Sequence, residues 1–284
     1  SNSPVVVVYL DLDSYRAEKQ NPVEPWSRAL HARLLNRLTA AGAKAVVFDI
    51  IFDEAAPDSA ADQQFDAALR TNGKVVLAGE ISRSSRNTAA SAGIKSLEYS
   101  LPAKPFLDAA AAWGMARLQA DSDFVVRRYF PGFSADQPSL TAAASKLAGV
   151  PAEAINDTRW LRYYGAPLSV PHISYSSALR TNEIGDDFFR GKIVFVGARP
   201  MAGMYLERKD EFRSPLANWG DNELFMPAVE VQATQMINLI RGDSLRRLSW
   251  RAEILSLLSA ALLWTVLFLR FRPLPAVSVA GLAE

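Results

Sequence analysis

The sequence of 284 residues contains no cysteine and only two histidines, His31 and His172. Without thiols, disulfides, thiolate zinc sites and cysteine nucleophiles are all excluded. Two histidines argue against a multi-histidine metal centre and against most serine–histidine catalytic arrangements. We therefore expect no metal and no cofactor in this chain.

The charge also lacks a dominant sign, because 31 basic residues stand against 30 acidic ones and the net charge is +1. A nucleic-acid-binding protein needs a clustered basic face to neutralise phosphates, so we do not expect a nucleic-acid partner. Hydrophobic residues make up 49% of the chain and charged residues 21%. This balance is typical of a globular protein with a full core.

One long apolar run stands near the C-terminus. Residues 254–269 contain no charge over sixteen positions, which is about 24 Å of helix. Trp250, Arg251 and Arg270 can extend this run to both membrane interfaces, so we predict a transmembrane helix over residues 249–270. A buried core helix is the alternative, but the run has no polar stripe. A second apolar run over residues 271–284 resembles the truncated start of another transmembrane segment.

The orientation of this span is ambiguous from charge alone. Arg270 and Arg272 follow the apolar run, whereas Arg241, Arg246 and Arg247 precede it. Taken alone, the positive-inside rule places the globular part, residues 1–248, in the cytoplasm.

The globular part alternates strand and helix patterns. Val5–Leu10, residues 44–52 and residues 74–78 are apolar, β-branched runs typical of buried strands. Helical patterns separate these runs and end at glycine. This order predicts an α/β fold with a largely parallel central sheet and flanking helices. Further predictions are a mobile loop over 82–100, strands at 116–118, 124–130, 159–164 and 192–197, and helices over 140–147 and from Pro227 to Gly242.

Several acidic residues follow predicted strands. Asp11, Asp13, Asp53 and Glu80 should lie near the carboxyl edge of the sheet, where α/β proteins bind ligands. Asp49 stands inside an apolar strand and requires a partner if it is buried. These carboxylates could form a cation or polyol site. They could equally form a structural network with Arg127 or Arg199.

Asp11-Leu12-Asp13-Ser14 also resembles the D-x-D-x-[ST] start of haloacid-dehalogenase-like phosphohydrolases. That resemblance implies a nucleophilic Asp11 and an acid/base Asp13. The accompanying acidic motif would be Gly185-Asp186-Asp187, but no buried strand precedes it. The other interpretation is that these carboxylates cap the turn after the first strand.

The order of motifs resembles the second type of CHASE domain, the sensing extracellular module associated with cyclases and histidine kinases. The matching segments are residues 40–52, 74–78, 121–128, 191–197, 210–215 and 227–233, followed by the membrane span. The resemblance implies an extracytoplasmic, periplasmic sensor domain over 1–248, without catalytic residues of its own. A cytoplasmic nucleotide cyclase or protein kinase would follow in the bacterial inner membrane receptor, which we expect to be a homodimer with a small-molecule or envelope ligand.

Two positions depart from that family's pattern: Phe124 replaces a usual glycine, and Gln232 replaces a usual histidine. We take the helix from Pro227 as the signal relay and assign that role to Glu230, Met236 and Ile237. The candidate ligand-binding residues are Asp11, Asp13, Asp49, Asp53, Asp121, Arg127 and Arg199. A membrane-anchored phosphohydrolase and a non-signalling envelope scaffold stay open as alternatives.

Overall fold

A computed structural model describes residues 3–22, 24–56, 58–85, 95–199, 210–216 and 224–270. The chain divides into two compact units, Ser1–Leu245 and Arg246–Glu284. The first unit is a mixed α/β domain, and the second contains one long helix. The predicted second apolar segment, 271–284, lies outside the described residues.

The strands are mostly short, and the longest are the buried apolar runs. They are β1 Val5–Leu10, β2 Ala45–Ile51, β3 Val75–Ser85, β4 Lys95–Ser100, β5 Ala112–Met115, β6 Arg128–Tyr129, β7 Gly132–Ser134, β8 Gln137–Pro138, β9 Arg159–Trp160, β10 His172–Ser174, β11 Ile193–Ala198, β12 Glu211–Arg213 and β13 Phe225–Pro227.

The α-helices, with one short 3₁₀ turn at Asp186–Phe188, connect these strands. They are α1 Leu12–Ala17, α2 Arg28–Ala40, α3 Ser59–Asn72, α4 Lys104–Ala109, α5 Leu140–Leu147, α6 Ala152–Ile155, α7 Tyr175–Ala178, α8 Ala228–Arg241 and α9 Trp250–Arg270.

The central sheet has the strand order β10-β1-β11-β2-β3-β4, and β5 also pairs with β3. All of its pairings are parallel except that of β3 with β4. The predicted α/β class and largely parallel sheet are therefore confirmed. β11 lies between β1 and β2, so two strands that follow each other along the chain are not neighbours in the sheet.

The sheet is covered on both faces. Apolar residues of α2, α3, α4 and α7 pack on one face, and those of α5 and α8 pack on the other. α8 comes very close to the sheet at Gly197, where a Cβ atom would lie 2.8 Å from the Cβ of Val229. The opposite side of α8 contacts a smaller core that includes Val126, Tyr129 and Leu161.

Several local predictions were wrong. Residues 82–85 and 95–100 form an antiparallel strand pair, β3 with β4, instead of a loop, and residues 86–94 of the predicted loop lie outside the described residues. Residues 116–118 are not a strand, and the strands predicted over 124–130 and 159–164 shrink to two residues each. By contrast, the helix over 140–147 and the C-terminal end of α8 at Gly242 agree with prediction. Gly242 adopts φ 65°, the left-handed conformation that ends a helix.

α9 has the length and composition of a membrane span. Its 21 residues correspond to about 31 Å of helix, close to the thickness of a bilayer's hydrocarbon core. None of its most apolar stretch is buried within the protein. This helix is therefore a candidate membrane span, as the sequence predicts.

Candidate functional site

The connections of the central strands create a candidate crevice at the carboxyl edge of the sheet. β1 and β11 are neighbours, but the helices that follow them, α2 and α8, cover opposite faces. Open α/β sheets bind ligands outside the carboxyl ends of strands that diverge in this way. Asp11 and Arg199 follow the two strands directly, and the backbone N–H of Arg199 donates to the carbonyl of Leu10 at 3.0 Å.

Asp11 is engaged in a local structural network. Its Oδ1 accepts hydrogen bonds from the Ser14 backbone N–H at 2.9 Å, the Ser14 hydroxyl at 2.6 Å and the Ser174 hydroxyl at 2.8 Å. Asp11 thus caps α1 and joins it to β10. Asp13 lies in the first turn of α1 and is exposed. The structural interpretation of Asp11 is supported, although its partners are serines and not the arginines expected.

Asp49 lies at the end of β2, on the face covered by α8, next to Gly197 of β11. It is partly buried, and no described residue donates a hydrogen bond to its carboxylate, so the expected partner of this side chain is not found among the described residues. Burial, reinforced by the negative charge of Asp210, raises the pKa of Asp49 to about 7. Asp210 is placed beside the start of α8, because its carbonyl accepts from the Ala228 N–H at 2.9 Å.

Asp53 and Glu80, the other predicted acidic residues of this edge, are both exposed. The negative charge of Asp53 acts on Arg28, a buried side chain that stacks on the ring of Phe52 at 4.6 Å. The structure therefore does not gather all the predicted carboxylates into one cluster. Among the described residues, no group of three or more histidine, cysteine or acidic side chains could hold a metal ion.

Asp121 and Arg127 belong to a compact turn after β5. Arg127 donates to Asp121 at 2.9 Å and forms a two-bond pair with Asp123 at 2.9 and 2.7 Å. The guanidinium lowers the pKa of Asp123 to about 2, and both carboxylates raise the pKa of Arg127. Asp121 and Arg127, both predicted from the sequence, therefore contact each other, and Asp123 also binds Arg127.

The backbone conformation at Phe124 explains why glycine is favoured at this position of the turn. Its φ is 64°, in the left-handed region that glycine adopts without steric cost. Its side chain is 68% exposed, and its carbonyl accepts from the Arg213 N–H of β12 at 3.0 Å. The departure from the family pattern is thus tolerated by an outward-pointing side chain on a strained backbone.

The phosphohydrolase motif is not assembled. Asp11 lies beyond the carboxyl end of β1, whereas Asp186 precedes β11 and pairs with Arg37 near the C-terminal end of α2. The neighbouring Gly191 N–H donates to the carbonyl of Gly42, just before β2 begins. The two acidic motifs therefore lie at opposite edges of the parallel sheet.

The predicted relay residues are all buried in α8. Glu230 is fully buried and accepts hydrogen bonds from the Tyr9 hydroxyl at 3.2 Å, the Leu168 N–H at 2.8 Å and the Val170 N–H at 3.2 Å. Burial raises the pKa of Glu230, and these three donors oppose the increase. Met236 and Ile237 pack against the sheet, and Met236 Sδ also accepts from the Ser145 hydroxyl at 3.1 Å.

Gln232, the second departure from the family pattern, bridges two neighbouring elements. Its Oε1 accepts from the Thr141 hydroxyl of α5 at 2.8 Å, and its Nε2 donates to the carbonyl of Ala116 at 2.9 Å. Both groups of the amide are satisfied in a nearly inaccessible position. Its role in the described structure is therefore to hold α8 against α5 and the end of β5.

A second set of contacts, at the C-terminal end of α8, was not predicted from the sequence. Asn238 binds both backbone polar groups of Arg162, and the Tyr164 hydroxyl donates to Asp243 at 2.7 Å. The Leu245 N–H then donates to the carbonyl of Trp160 at 2.9 Å. Residues 159–164 thus hold the last part of the first compact unit. The signal that could have indicated them is Asn238 itself, a polar residue between the apolar Ile237 and Leu239 of a well-patterned helix.

The family model of the CHASE2 domain matches residues 1–269. No curated protein and no solved structure matches the chain. The match covers the α/β unit with its carboxyl-edge residues and continues through nearly all of α9, which confirms the resemblance drawn from the ordered motifs. The chain therefore belongs to the CHASE2 family, whose domains are extracytoplasmic sensory domains of signalling receptors and not catalytic domains.

Proposed function

We propose that this chain is the periplasmic input domain of a receptor in the bacterial inner membrane, with a nucleotide cyclase or a protein kinase as its cytoplasmic output. The observation that carries the proposal is the extent of the family match, which includes both the α/β unit and the exposed apolar helix α9. A sensor joined to a membrane span is the arrangement that a transmembrane receptor requires. The working state is a homodimer, because paired output domains commonly act together.

The ligand acts at the carboxyl edge of the sheet, and α8 relays its effect. Asp49 and Arg199 flank this edge, while Asp11 supports it. α8 begins beside the edge at Ala228 and ends at Arg241, close to the boundary of the first unit. A coupling free energy of about 1–3 kcal/mol between ligand and output is enough for about 5- to 150-fold control.

The absence of cysteine makes the orientation directly testable. Lys74→Cys places the one thiol of these 284 residues at an exposed position before β3, and a membrane-impermeant maleimide should label it in intact spheroplasts of cells that express the full receptor. The parent receptor with Lys74 is the matched control for labelling at any other thiol. Labelling that appears only after lysis would place the domain in the cytoplasm, as the arginines before α9 suggest, and would overturn the proposal.

The output is tested by translating the reading frame beyond Glu284 and assaying the encoded activity in the full-length receptor. A helix-breaking Met236→Gly change in α8 should uncouple this activity from the sensor, whereas Met236→Leu, which conserves volume, should leave coupling intact. Circular dichroism establishes whether each variant is folded. A folded Met236→Gly receptor with unchanged signalling would remove α8 from the relay.

The hydrolase hypothesis makes a different prediction. It requires magnesium-dependent phosphatase activity that is lost in Asp11→Asn. Activity no higher than background in the parent chain would eliminate it.

A further inference from the structure

A cavity of about 350 Å³ lies beside the β7–β8 hairpin and shares no residue with the carboxyl edge of the sheet. Its volume falls within the range of about 300–1,000 Å³ that is usual for small-molecule sites. α5 and α6 complete its walls. The lining residues that matter for recognition are Phe133, Ser134, Pro138, Lys146, Ile155 and Asn156.

The hairpin that forms one wall has a fixed shape. Gly132 adopts φ 123°, and a Cβ atom at this position would lie 2.4 Å from the carbonyl oxygen of Gln137 and 2.6 Å from the Cα of Pro138. Only glycine allows the two short strands to approach so closely. The backbone of this wall is therefore constrained by the close approach of its two short strands.

The lining combines an apolar wall with one unpaired positive charge. Among the described residues, Lys146 is the only charged one that lines the cavity. Its side chain is exposed, and none of these residues forms an ion pair or a side-chain hydrogen bond with its ammonium group. The side chains of Asn156 and Ser134 likewise have no hydrogen-bond partner within the described part of the chain. Two acidic residues adjoin the lining in sequence without being part of it: Asp136 in the turn of the hairpin, and Asp157, whose carboxylate lies 3.9 Å from the guanidinium of Arg159.

A second cavity, of about 370 Å³, provides a comparison, because the charged residues that line it interact with one another or with the backbone. Asp62, Asp66 and Arg70 line it. Arg70 donates two hydrogen bonds to Asp66, at 2.9 and 3.1 Å, and Asp62 accepts from the Ala56 N–H at 2.8 Å. Its charged groups therefore already have partners, whereas the exposed ammonium of Lys146 has none among the described residues.

We infer that the cavity beside the hairpin binds a small organic carboxylate with an apolar body. The ammonium of Lys146 pairs with the carboxylate, the Asn156 amide and the Ser134 hydroxyl add hydrogen bonds, and the Phe133 ring, Pro138 and Ile155 cover the apolar part. The proposed sensor would therefore have a second binding site, for carboxylates. Binding at this site does not depend on the proposed function, but an effect of binding on signalling does.

The cavity is connected to the C-terminal part of the first unit by a short series of contacts. The carbonyl of Ile155, in its wall, accepts from the Tyr129 hydroxyl at 2.9 Å. Tyr129 pairs with Arg159 between β6 and β9, and the neighbouring Trp160 carbonyl accepts from Leu245. A ligand that shifts Ile155 therefore acts on the segment that holds Leu245, without passing through the carboxyl edge.

The binding test uses the full chain in detergent, with benzoate as the probe and saturation-transfer NMR as the readout. Benzyl alcohol and benzylammonium have the same ring with neutral and positive polar groups. We expect benzoate to bind more tightly than either, and Lys146→Gln to weaken benzoate binding by about tenfold. Lys74→Gln, which changes an exposed lysine outside the cavity, should leave binding unchanged.

Equal binding of the three probes, equal affinity of Lys146→Gln and Lys74→Gln, or no binding of benzoate would each overturn the inference. If Lys146→Gln does not fold, Ala135→Leu, which adds bulk at an exposed lining position of the hairpin, provides a second test because it should weaken benzoate binding. These results are independent of the proposed function, which the labelling of Lys74→Cys and the output assay test separately.

Discussion

The side chain of Asn238 pairs with both backbone polar groups of Arg162. Its Oδ1 accepts from the Arg162 N–H at 2.8 Å, and its Nδ2 donates to the Arg162 carbonyl at 2.9 Å. The Asn238 side chain thus makes the two hydrogen bonds that the backbone of a neighbouring strand would otherwise make with Arg162. The contact fixes the C-terminal half of α8 to the residues that also hold Leu245.

We predict that Asn238→Ala destabilises the domain by about 2–3 kcal/mol, because it leaves two backbone groups of a partly buried segment unpaired. Chemical denaturation measures the change in the free energy of unfolding. Gln235→Ala is the matched control, since Gln235 is equally buried on the same helix but makes no side-chain hydrogen bond to a described residue. Equal effects of the two substitutions would show that the pairing with Arg162 contributes nothing.

Glu230 provides a second test of how α8 is held. We expect Glu230→Ala to cost at least about 3 kcal/mol, because it removes the acceptor for Tyr9, Leu168 and Val170 in a fully buried position. Tyr9→Phe removes only one of these three donors and should cost about 1 kcal/mol. If Glu230→Ala costs no more than Tyr9→Phe, the backbone bonds from Leu168 and Val170 do not stabilise the fold.

Phe124→Gly should stabilise the protein by about 1 kcal/mol, because glycine adopts the observed positive φ without the steric cost that other residues bear. The Phe124 side chain is mostly exposed, so little packing is lost. Phe124→Ala is the control: it removes the ring but keeps the Cβ, and should give no stabilisation. The midpoint of thermal unfolding distinguishes the three proteins, and an equal gain for Ala and Gly would contradict a backbone explanation.

Local signals in the sequence predicted the elements that depend on neighbouring residues. The β-branched run of β1 and the glycine that ends α8 both act within a few positions, and both were identified. The position of β11 between β1 and β2 was not predictable, because strand order is decided by packing between residues about 150 to 190 positions apart. The pairing of β3 with β4 was missed because its polar, serine-rich strands lack the alternation of a half-buried strand.

The candidate site shows the same limit. Asp11, Asp13, Asp53 and Glu80 were placed at the carboxyl edge from strand direction alone, which is a property of the parallel sheet. What each residue contacts there depends on distant segments: Ser174, 163 residues from Asp11, takes one of its hydrogen bonds. Asp210, which raises the pKa of Asp49, is similarly remote in sequence. The type of residue at the edge was therefore predictable, but its partners were not.

Asp49 should make the free energy of unfolding depend on pH. The sign of this dependence follows from the pKa of Asp49, which is about 7 against an ordinary value of 3.8. Between these two values the folded protein keeps the proton that the unfolded chain releases. The free energy of unfolding therefore decreases as pH rises from about 4 to 7, and the full destabilisation is present above about pH 7.

Asp49→Asn removes this ionisation, so the variant should be more stable than the parent at pH 8 and equal to it near pH 4. A tenfold change in an acid dissociation constant corresponds to about 1.4 kcal/mol, and because Asp49 keeps some contact with solvent we expect a gain of about 1–2 kcal/mol. Denaturation at pH 4, 6 and 8 measures it. Asp53→Asn, at an exposed position four residues later, is the matched control. A stability difference for Asp49→Asn that does not change with pH would show that Asp49 stays ionised in the folded protein, and would leave the carboxyl edge negatively charged at neutral pH.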